Sequence, residues 1–313
     1  MVFPVYWFPV SQTDDLTTSI VNVLGGKTYK LEPNPPPPMP WEQYEKLVNQ
    51  EFLNLLNAPQ SSEADFQALF ERHPCLLPET DKIFDGQGGH GPFPGTLISQ
   101  PRLAGLSSKI PDFLWIVRNS AYVYAVLIEI EDPKKQWATT SGQPTHQLTQ
   151  ARDQIADWRA WFNDPVKANM FQQDYRIPAD WVRSRTLRQK YVLIYGRRND
   201  PSLIEIVNKK RGSWEREDEC HMTYDRLVPN RNLSYFPCSR LDQAGYYAIT
   251  IPPTLKLGPM FADYGRMIRD KAQAISNNAY LSPERKKFLL ERWNYWDEWA
   301  LRGGGVSSTG DWE

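Results

Sequence analysis

The chain has 313 residues, of which 41% are hydrophobic and 23% charged, and its formal net charge is −1. This composition describes a globular protein of one large or two smaller domains. It excludes an overall basic field, so any contact with nucleic acid must rest on local basic patches.

The cysteines and the hydropathy exclude two further classes of protein, those held together by disulfides or zinc and those inserted into or exported across a membrane. The 3 cysteines, Cys75, Cys220 and Cys238, are odd in number and have no CxxC spacing, which argues against a disulfide framework and a zinc site. No apolar run has transmembrane length, and the first ten residues lack a basic signal-peptide region. We therefore expect a cytoplasmic protein with reduced thiols and no membrane partner.

Residues 1–58 are predicted to form an N-terminal segment. A Gly-Gly turn within residues 21–31 predicts a small hairpin. The proline tract at residues 35–38 predicts an extended connector. Apolar residues then recur at helical spacing from Trp41 and indicate an amphipathic helix that ends near Asn57.

Residues 59–255 are predicted to form the main domain. Ser62 to Asp65 resembles a capping box that opens a helix, and Glu63, Gln67 and Glu71 share the polar face of this helix. Residues 79–96 are rich in Gly and Pro and predict a long loop, and residues 97–103 predict a short strand.

Two apolar runs form the centre of this domain. Residues 110–117 and 122–130 have the composition of strands covered on both faces, and the polar residues between them predict a β-hairpin. A four-residue loop places Asp112 opposite Glu129, and a two-residue loop places it opposite Leu127. In both cases Asp112, Glu129 and Glu131 share one face, whereas a three-residue loop separates them.

Cross-strand neighbours have Cβ atoms ~4.5–5.5 Å apart, a span that two carboxylates can close on one divalent cation. Buried like charges this close repel each other unless a cation or protons compensate them. The alternative is that these acids lie at strand ends and reach solvent.

Helical periodicity predicts the next helix over residues 146–162, and residues 191–195 predict a strand ended by Gly196. The order is therefore helix, three strands, helix, strand. Residues 246–251 predict a further strand.

Residues 256–313 are predicted to hold C-terminal helices and a disordered tail. One helix is expected over residues 259–275, and another begins at Ser282-Pro283. Trp293, Trp296 and Trp299 exceed what one buried stripe needs, which suggests an oligomer contact.

Pro111-Asp112, followed at hairpin distance by Glu129-Ile130-Glu131, resembles the PD-(D/E)XK nuclease signature, except that Glu131 stands where lysine is usual. The flanking segments extend the likeness. SSEADFQALFERHPCLLP, PDF, IEIEDPKK and THQLTQARDQIADWRAW resemble the nuclease domain of the Shedu family of bacterial anti-phage defence proteins, over residues 63–227.

This resemblance implies an α/β (α+β) fold with a PD-(D/E)XK core, a mixed sheet flanked by helices, and N-terminal and C-terminal additions. It also implies a homo-oligomer that cleaves DNA, in preference to RNA, with Mg²⁺ or Mn²⁺. Asp112 and Glu129 are the expected metal ligands, and Glu131 is expected to accept a proton or to bind a second cation. Gln154 matches the glutamine of the superfamily's following helix, so it is included among the catalytic residues.

The best local basic patch comprises Arg183, Arg185, Arg188, Arg197 and Arg198, either as phosphate contacts or as a solvated face. Lys134 and Lys135 either turn back toward the acids or remain in solvent. The alternative function is a catalytically decayed nucleic-acid-binding or sensor module, with Glu131 as the sign of decay.

Overall fold

The computed structural model describes residues 27–79, 90–105, 110–304 and 310–313. The hairpin predicted within residues 21–31 lies largely outside these residues. The helices of the described part are α1 (Trp41–Asn57), α2 (Glu63–Arg72), α3 (His146–Phe162), α4 (Pro165–Asp174), α5 (Ala179–Ser184), α6 (Glu205–Trp214), α7 (Pro259–Gly265), α8 (Lys271–Asn277) and α9 (Pro283–Leu301). The strands are β1 (His90–Ser99), β2 (Phe113–Arg118), β3 (Tyr122–Ile130), β4 (Thr186–Ile194), β5 (Glu219–Met222), β6 (Cys238–Asp242), β7 (Gly245–Thr250) and β8 (Ile268–Arg269).

The strands form one mixed sheet in the order β5-β4-β3-β2-β1-β6-β7-β8. The hairpin β2-β3 lies at its centre, β3 pairs in parallel with β4, and β4 pairs in parallel with β5. On the other side β1 pairs antiparallel with β2 and in parallel with β6. The expectation of a mixed sheet flanked by helices is confirmed.

The sheet separates two hydrophobic cores. Leu114 and Leu127 belong to the core that α3 covers, whereas Phe113 and Trp115 belong to the core that α1 and α2 cover. Because both faces are covered, β2 is buried along its whole length.

The helices predicted from the clearest apolar periodicity are present in the structure. α1 and α3 have the predicted bounds, and the Ser62–Asp65 capping box is present at the start of α2. The Thr145 side chain accepts a hydrogen bond from the Leu148 N–H and so fixes where α3 begins.

The predicted loop over residues 79–96 is wrong from His90 onward, because β1 begins there and ends at Ser99. Its pairing with β2 shifts register between His90 and Phe93 and again between Phe93 and Ile98. These irregularities accommodate Pro92 and Pro94, which have no N–H to donate. The proline and glycine content therefore concealed the start of this strand, and the strand predicted over residues 97–103 ends already at Ser99.

The single helix predicted over residues 259–275 is also wrong. The chain forms α7, leaves the helix to pair β8 with β7, and then forms α8. Asp270, between β8 and α8, has φ 57°, a left-handed conformation that a continuous helix does not contain.

The oligomer contact suggested for the tryptophans is wrong, because these side chains fill the core of their own chain. Trp293, Trp296 and Trp299 are 2%, 1% and 4% exposed. Tyr29 packs against Trp296 and Trp299, at ring-centroid distances of 5.3 and 5.4 Å. Three tryptophans so close in the sequence therefore indicate that helix α9 is buried on more than one side.

The predicted disorder of the tail is wrong for residues 310–313. Glu313 is 3% exposed and exchanges two backbone hydrogen bonds with Leu257. Its side chain accepts hydrogen bonds from the Arg292 guanidinium and the Trp296 indole N–H.

Among the described helices, none has the length and apolarity required to cross a membrane.

Candidate metal centre at the central hairpin

The register of the central hairpin decides where its acids lie. Phe113 pairs with Ile128 and Arg118 with Val123, so four residues connect the paired ends of β2 and β3. The Asp112 N–H donates to the Ile128 carbonyl at 3.1 Å and extends the ladder. Asp112 therefore lies opposite Glu129, as the four-residue alternative predicted.

Side-chain alternation assigns the pair to one face of the sheet. Asp112 and Glu129 have the parity of Leu114 and Leu127, which pack beneath α3, and not that of Phe113. The Ile130 N–H donates to Asp112 Oδ2 at 2.8 Å and fixes this carboxyl group at the end of the hairpin. The acids consequently share the face away from the α2 core, as expected.

Helix α3 supplies the predicted amide. Gln154 Nε2 donates to Glu129 Oε1 at 2.6 Å. Ile155, the next residue, is buried in the core and sets the rotation of the helix that turns Gln154 toward the strand ends. The structure thus brings Asp112, Glu129 and Gln154 together.

The second oxygen of Glu129 has a different environment. Glu129 is 7% exposed, and its Oε2 is buried and receives no N–H or hydroxyl donor from the described residues, whereas the Asp112 carboxyl group lies within hydrogen-bonding reach of Glu129. An unpaired buried carboxylate oxygen is costly, since the group has lost its hydration and gained nothing in return. The position calls for a proton or a cation.

The electrostatics of the pair agree with this geometry. Burial raises the pKa of Asp112 to about 7 and raises the pKa of Glu129 well above its usual value. The charge of Asp112 further raises the Glu129 pKa, and the two carboxyl groups lie within hydrogen-bonding reach of each other. Without a cation, the pair therefore retains a proton near neutral pH.

Helix α2 contributes one further acid. Burial raises the pKa of Glu63, and nearby Lys135 opposes this rise. The other polar residues of that helix face bind elsewhere: Gln67 Nε2 donates to Ser99 Oγ at 3.1 Å, and Arg240 Nη2 donates to Glu71 Oε1 at 2.9 Å. Of the three, only Glu63 lies close enough to influence the hairpin acids.

A turn after β3 folds back over the acids. Asp132 Oδ1 accepts from the Lys134 N–H at 2.8 Å, and the Asp132 carbonyl accepts from the Lys135 N–H at 3.0 Å. Pro133 presets the backbone angle at the second position of this turn. The Lys135 ammonium consequently contacts Glu131 Oε2 and lies 3.8 Å from Glu63 Oε2.

Glu131 has a different environment from the other two predicted ligands. It is 9% exposed, its carboxylate contacts Lys135, and its carbonyl accepts from Tyr224 Oη at 2.7 Å. Within the described ranges, no set of three or more His, Cys, Asp or Glu side chains is arranged to hold a metal ion.

The chemistry of the remaining donor set nevertheless fits a small divalent cation. Mg²⁺ typically binds through one or two carboxylates and keeps several waters. Asp112 and Glu129 provide two adjacent carboxyl groups, and Glu129 Oε2 is a buried oxygen without an N–H or hydroxyl donor in the described part of the chain. A site of this composition does not require the carboxylate of Glu131.

The predicted basic patch is divided between the two ends of β4. Arg183, Arg185 and Arg188 lie before or near its start, whereas Arg197 and Arg198 follow its end. At ~3.3 Å per residue the two groups are separated by roughly 25 Å. Glu129 pairs with Leu193, so the hairpin acids lie at the Arg197 end.

Several of these arginines have protein partners. Arg197 binds Asp225 through Nη2 at 2.9 Å and donates from Nη1 to the Leu56 carbonyl at 3.2 Å. The Arg188 guanidinium lies 3.9 Å from the ring centroid of Tyr122. Arg183 and Arg198 are exposed.

Two further residues bind Glu131 and were not assigned a role from the sequence, Lys135 and Tyr224. The Asp-Pro-Lys-Lys segment carried the relevant signal, because Asp and Pro at these positions favour a turn that reverses the chain. For Tyr224, which follows β5, no sequence pattern connected it to the hairpin.

The chain matches the family model described as Shedu protein SduA, C-terminal, over residues 60–228. The matched residues are more than half of the chain. Comparisons with curated proteins and with solved structures gave no match.

Proposed function

The chain belongs to the Shedu family, and from this premise we propose that it is a Mg²⁺- or Mn²⁺-dependent endonuclease that cleaves DNA in anti-phage defence. We further assign its sheet to the PD-(D/E)XK fold. The support is the order α2, β1, β2, β3, α3, β4, with the acids at the end of the β2-β3 hairpin.

The observation that carries the proposal is the buried carboxyl pair with an unpaired oxygen. Asp112 and Glu129 repel each other when both are ionised, and burial increases the cost of each charge. A pair that served only the fold would be more stable as neutral residues. Its presence beneath α3, with Gln154 bound to one Glu129 oxygen and no N–H or hydroxyl donor from the described residues on the other, favours a cation-binding role.

When bound there, a divalent cation supplies an activated water, neutralises charge at phosphorus and assists the leaving oxygen. The residues of the chain hold and orient the donor oxygens. The Ile130 N–H fixes Asp112 Oδ2, and the Gln154 amide fixes Glu129 Oε1. Both interactions leave one carboxylate oxygen of each acid available.

For DNA contact we propose Arg197 and Arg198, which lie at the same end of β4 as the acids. Arg183, Arg185 and Arg188 are proposed as a separate phosphate contact at the opposite end. A homo-oligomer is proposed from the family resemblance, and a cytoplasmic location from the three free cysteines.

The second candidate is a decayed nucleic-acid-binding or sensor module. It is favoured by Glu131, which stands at the usual lysine position and whose carboxylate lies outside the Asp112–Glu129 pair. The two candidates differ in whether purified protein cleaves DNA.

Cleavage of supercoiled plasmid by native protein, Asp112→Asn and Glu129→Gln tests the proposal. Each reaction is run with Mg²⁺, with Mn²⁺ and with a chelator. We expect cleavage only by native protein with metal, and a loss of at least about 100-fold in both variants, because each removes a ligand charge. Glu205→Gln is the matched control, since Glu205 is exposed and forms a surface ion pair with Lys209. Native protein that binds plasmid but stays inert with both metals would support the decayed module instead.

A further inference from the structure

Four carboxyl groups and one ammonium group meet at the end of the central hairpin. The acids are Asp112, Glu129, Glu131 and Glu63, and the base is Lys135. The Lys135 ammonium contacts Glu131, lies 3.8 Å from Glu63 Oε2, and lowers the pKa values of Asp112 and Glu129 through its charge. It is thus the cation of this cluster within the described part of the chain.

The position of Lys135 is fixed by its backbone as well as by its partners. The Asp132-Pro133 turn reverses the chain, and Gly196 lies directly against it. A Cβ atom added at Gly196 would lie 2.7 Å from the Lys135 carbonyl oxygen, closer than real contacts allow. Gly196 has φ +59°, so the turn and the end of β4 fit together only with glycine there.

We propose that Lys135 supplies the fixed positive charge that position 131 lacks in this sequence, and that Glu131 is a positioning residue for Lys135 instead of a metal ligand. The inference rests on the proposed function, since the charge acts on a phosphate held beside the Asp112–Glu129 pair. It replaces the expectation that Glu131 binds a second cation.

The neighbouring cations, Lys134 and Arg197, bind other partners. Lys134 Nζ donates to the Ser61 carbonyl, and Arg197, proposed above for DNA contact, is paired with Asp225. Lys135 is the cation whose charge acts on both Asp112 and Glu129, and its side chain is partly exposed. A phosphate held beside the pair would meet this ammonium, which would stabilise charge developing at phosphorus.

The first test compares Lys135→Met with Lys134→Met, its matched control on the same turn. At saturating Mn²⁺, we expect Lys135→Met to lower the rate of plasmid cleavage by about 100-fold or more, as loss of one fixed charge-stabilising group does elsewhere. Lys134→Met should stay within a few fold of native protein. Circular dichroism and the melting temperature establish that both variants fold.

The second test moves the charge without changing the net charge. Lys135→Glu reverses the sign at the turn and should be inactive. The double variant Glu131→Lys/Lys135→Glu returns a lysine to the motif position and should regain at least tenfold over Lys135→Glu. A purely structural ion pair between positions 131 and 135 would also be restored by this swap. The gain in cleavage is therefore compared at equal melting temperatures of Lys135→Glu and the double variant, because a structural rescue would raise the melting temperature.

A third readout does not depend on cleavage. Removing an ammonium group from a cluster of acids strengthens the attraction for a divalent cation, so calorimetry should show tighter Mg²⁺ binding to Lys135→Met than to Lys134→Met. If native protein is inert but this difference in Mg²⁺ affinity is present, the proposed nuclease function fails while Lys135 remains the cluster's cation. Equal cleavage and equal Mg²⁺ affinity in the two methionine variants would overturn the inference about Lys135.

Discussion

At the scale of single residues, the catalytic proposal depends on an acid pair whose placement follows from strand parity. Asp112 and Glu129 meet because the hairpin connection has four residues, and the sequence had reduced the possibilities to loop length alone. Gln154 was expected from the family resemblance and binds Glu129. Lys135 was left open because its direction depends on a turn and on the tight contact with Gly196, neither of which has periodicity.

The raised pKa values of the pair predict how the metal-free protein responds to pH. An unfolded chain releases these carboxyl protons near pH 4, whereas the folded state holds Asp112 protonated up to about pH 7. Because the folded state binds more protons in this window, the stability contributed by the pair is full below pH 4 and is lost as pH rises through 7. In chelator, the melting temperature of native protein should fall more between pH 5 and 8 than that of Asp112→Asn.

Two comparisons complete the pH experiment. Glu205→Gln should follow native protein, since Glu205 is exposed. Excess Mg²⁺ at pH 8 should raise the melting temperature of native protein but not that of Asp112→Asn, because only the intact pair binds the ion. Parallel pH slopes for native protein and Asp112→Asn would show that the pair does not titrate as argued.

We expect two substitutions of Gln154 to weaken metal binding and cleavage to different degrees. Gln154→Ala removes the donor that orients Glu129, and loss of such a supporting hydrogen bond typically costs about 10–100-fold in metal affinity or activity. Gln154→Glu should be worse, because it adds a carboxylate to a crowded acidic site. Mn²⁺ affinity and plasmid cleavage measure both variants. Gln150→Ala, an exposed position on the same helix, is the control; equal behaviour of Gln154→Ala and Gln150→Ala would remove Gln154 from the site.

At the scale of elements, helical periodicity predicted structure well, whereas strand pairing was harder to predict. α3 was predicted to the residue and α1 was predicted to end near Asn57, because each has a long apolar stripe and clear end signals. The strand predicted over residues 97–103 was misplaced, since β1 spans His90–Ser99 and its pairing tolerates prolines at register shifts; the helix predicted over residues 259–275 was interrupted because β8 pairs with β7. Long-range pairing of this kind leaves no periodic trace in the sequence.

A substitution at Gly196 tests the contact between the end of β4 and the turn that carries Lys135. Gly196→Ala places a methyl group against the Lys135 carbonyl and the Trp137 ring in a left-handed backbone conformation, which alone costs about 1–2 kcal/mol. We expect a lower free energy of unfolding and weaker cleavage, because the Lys135 turn must move. Urea denaturation measures the first effect. Gly212→Ala is the control, since it has open space around it on α6 and should stabilise that helix by up to about 1 kcal/mol; a similar gain at Gly196 would contradict the close contact.

At the scale of the whole molecule, segments that were predicted separately share one sheet and one pair of cores. Trp293, Trp296 and Trp299 of α9 lie in the same core as Leu114 and Leu127 of the central hairpin. The C-terminal residue Glu313 is held by Arg292 and Trp296. Composition identified the apolar residues, but only the assembled fold shows that they face inward.

The tryptophans therefore predict a stability effect and not an assembly effect. Trp296→Ala should lower the free energy of unfolding by about 3–5 kcal/mol, as large-to-small changes in cores do. The oligomeric state in light scattering should be unchanged. Glu284→Ala, at an exposed position on the first turn of α9, is the control for helix α9. Dissociation of an oligomer by Trp296→Ala, without loss of stability in the separated chains, would return these residues to an interface.

Binding of the catalytic cation by the buried Asp112–Glu129 pair can be observed by anomalous diffraction from crystals of the native protein soaked in Mn²⁺. We expect a manganese peak bonded to one oxygen of each carboxyl group, at about 2.0–2.2 Å, which is lost in Glu129→Gln crystals. A peak on Glu131 and Glu63 with the pair left bare, or no peak within bonding distance of Asp112 and Glu129, would show that the pair does not bind the cation.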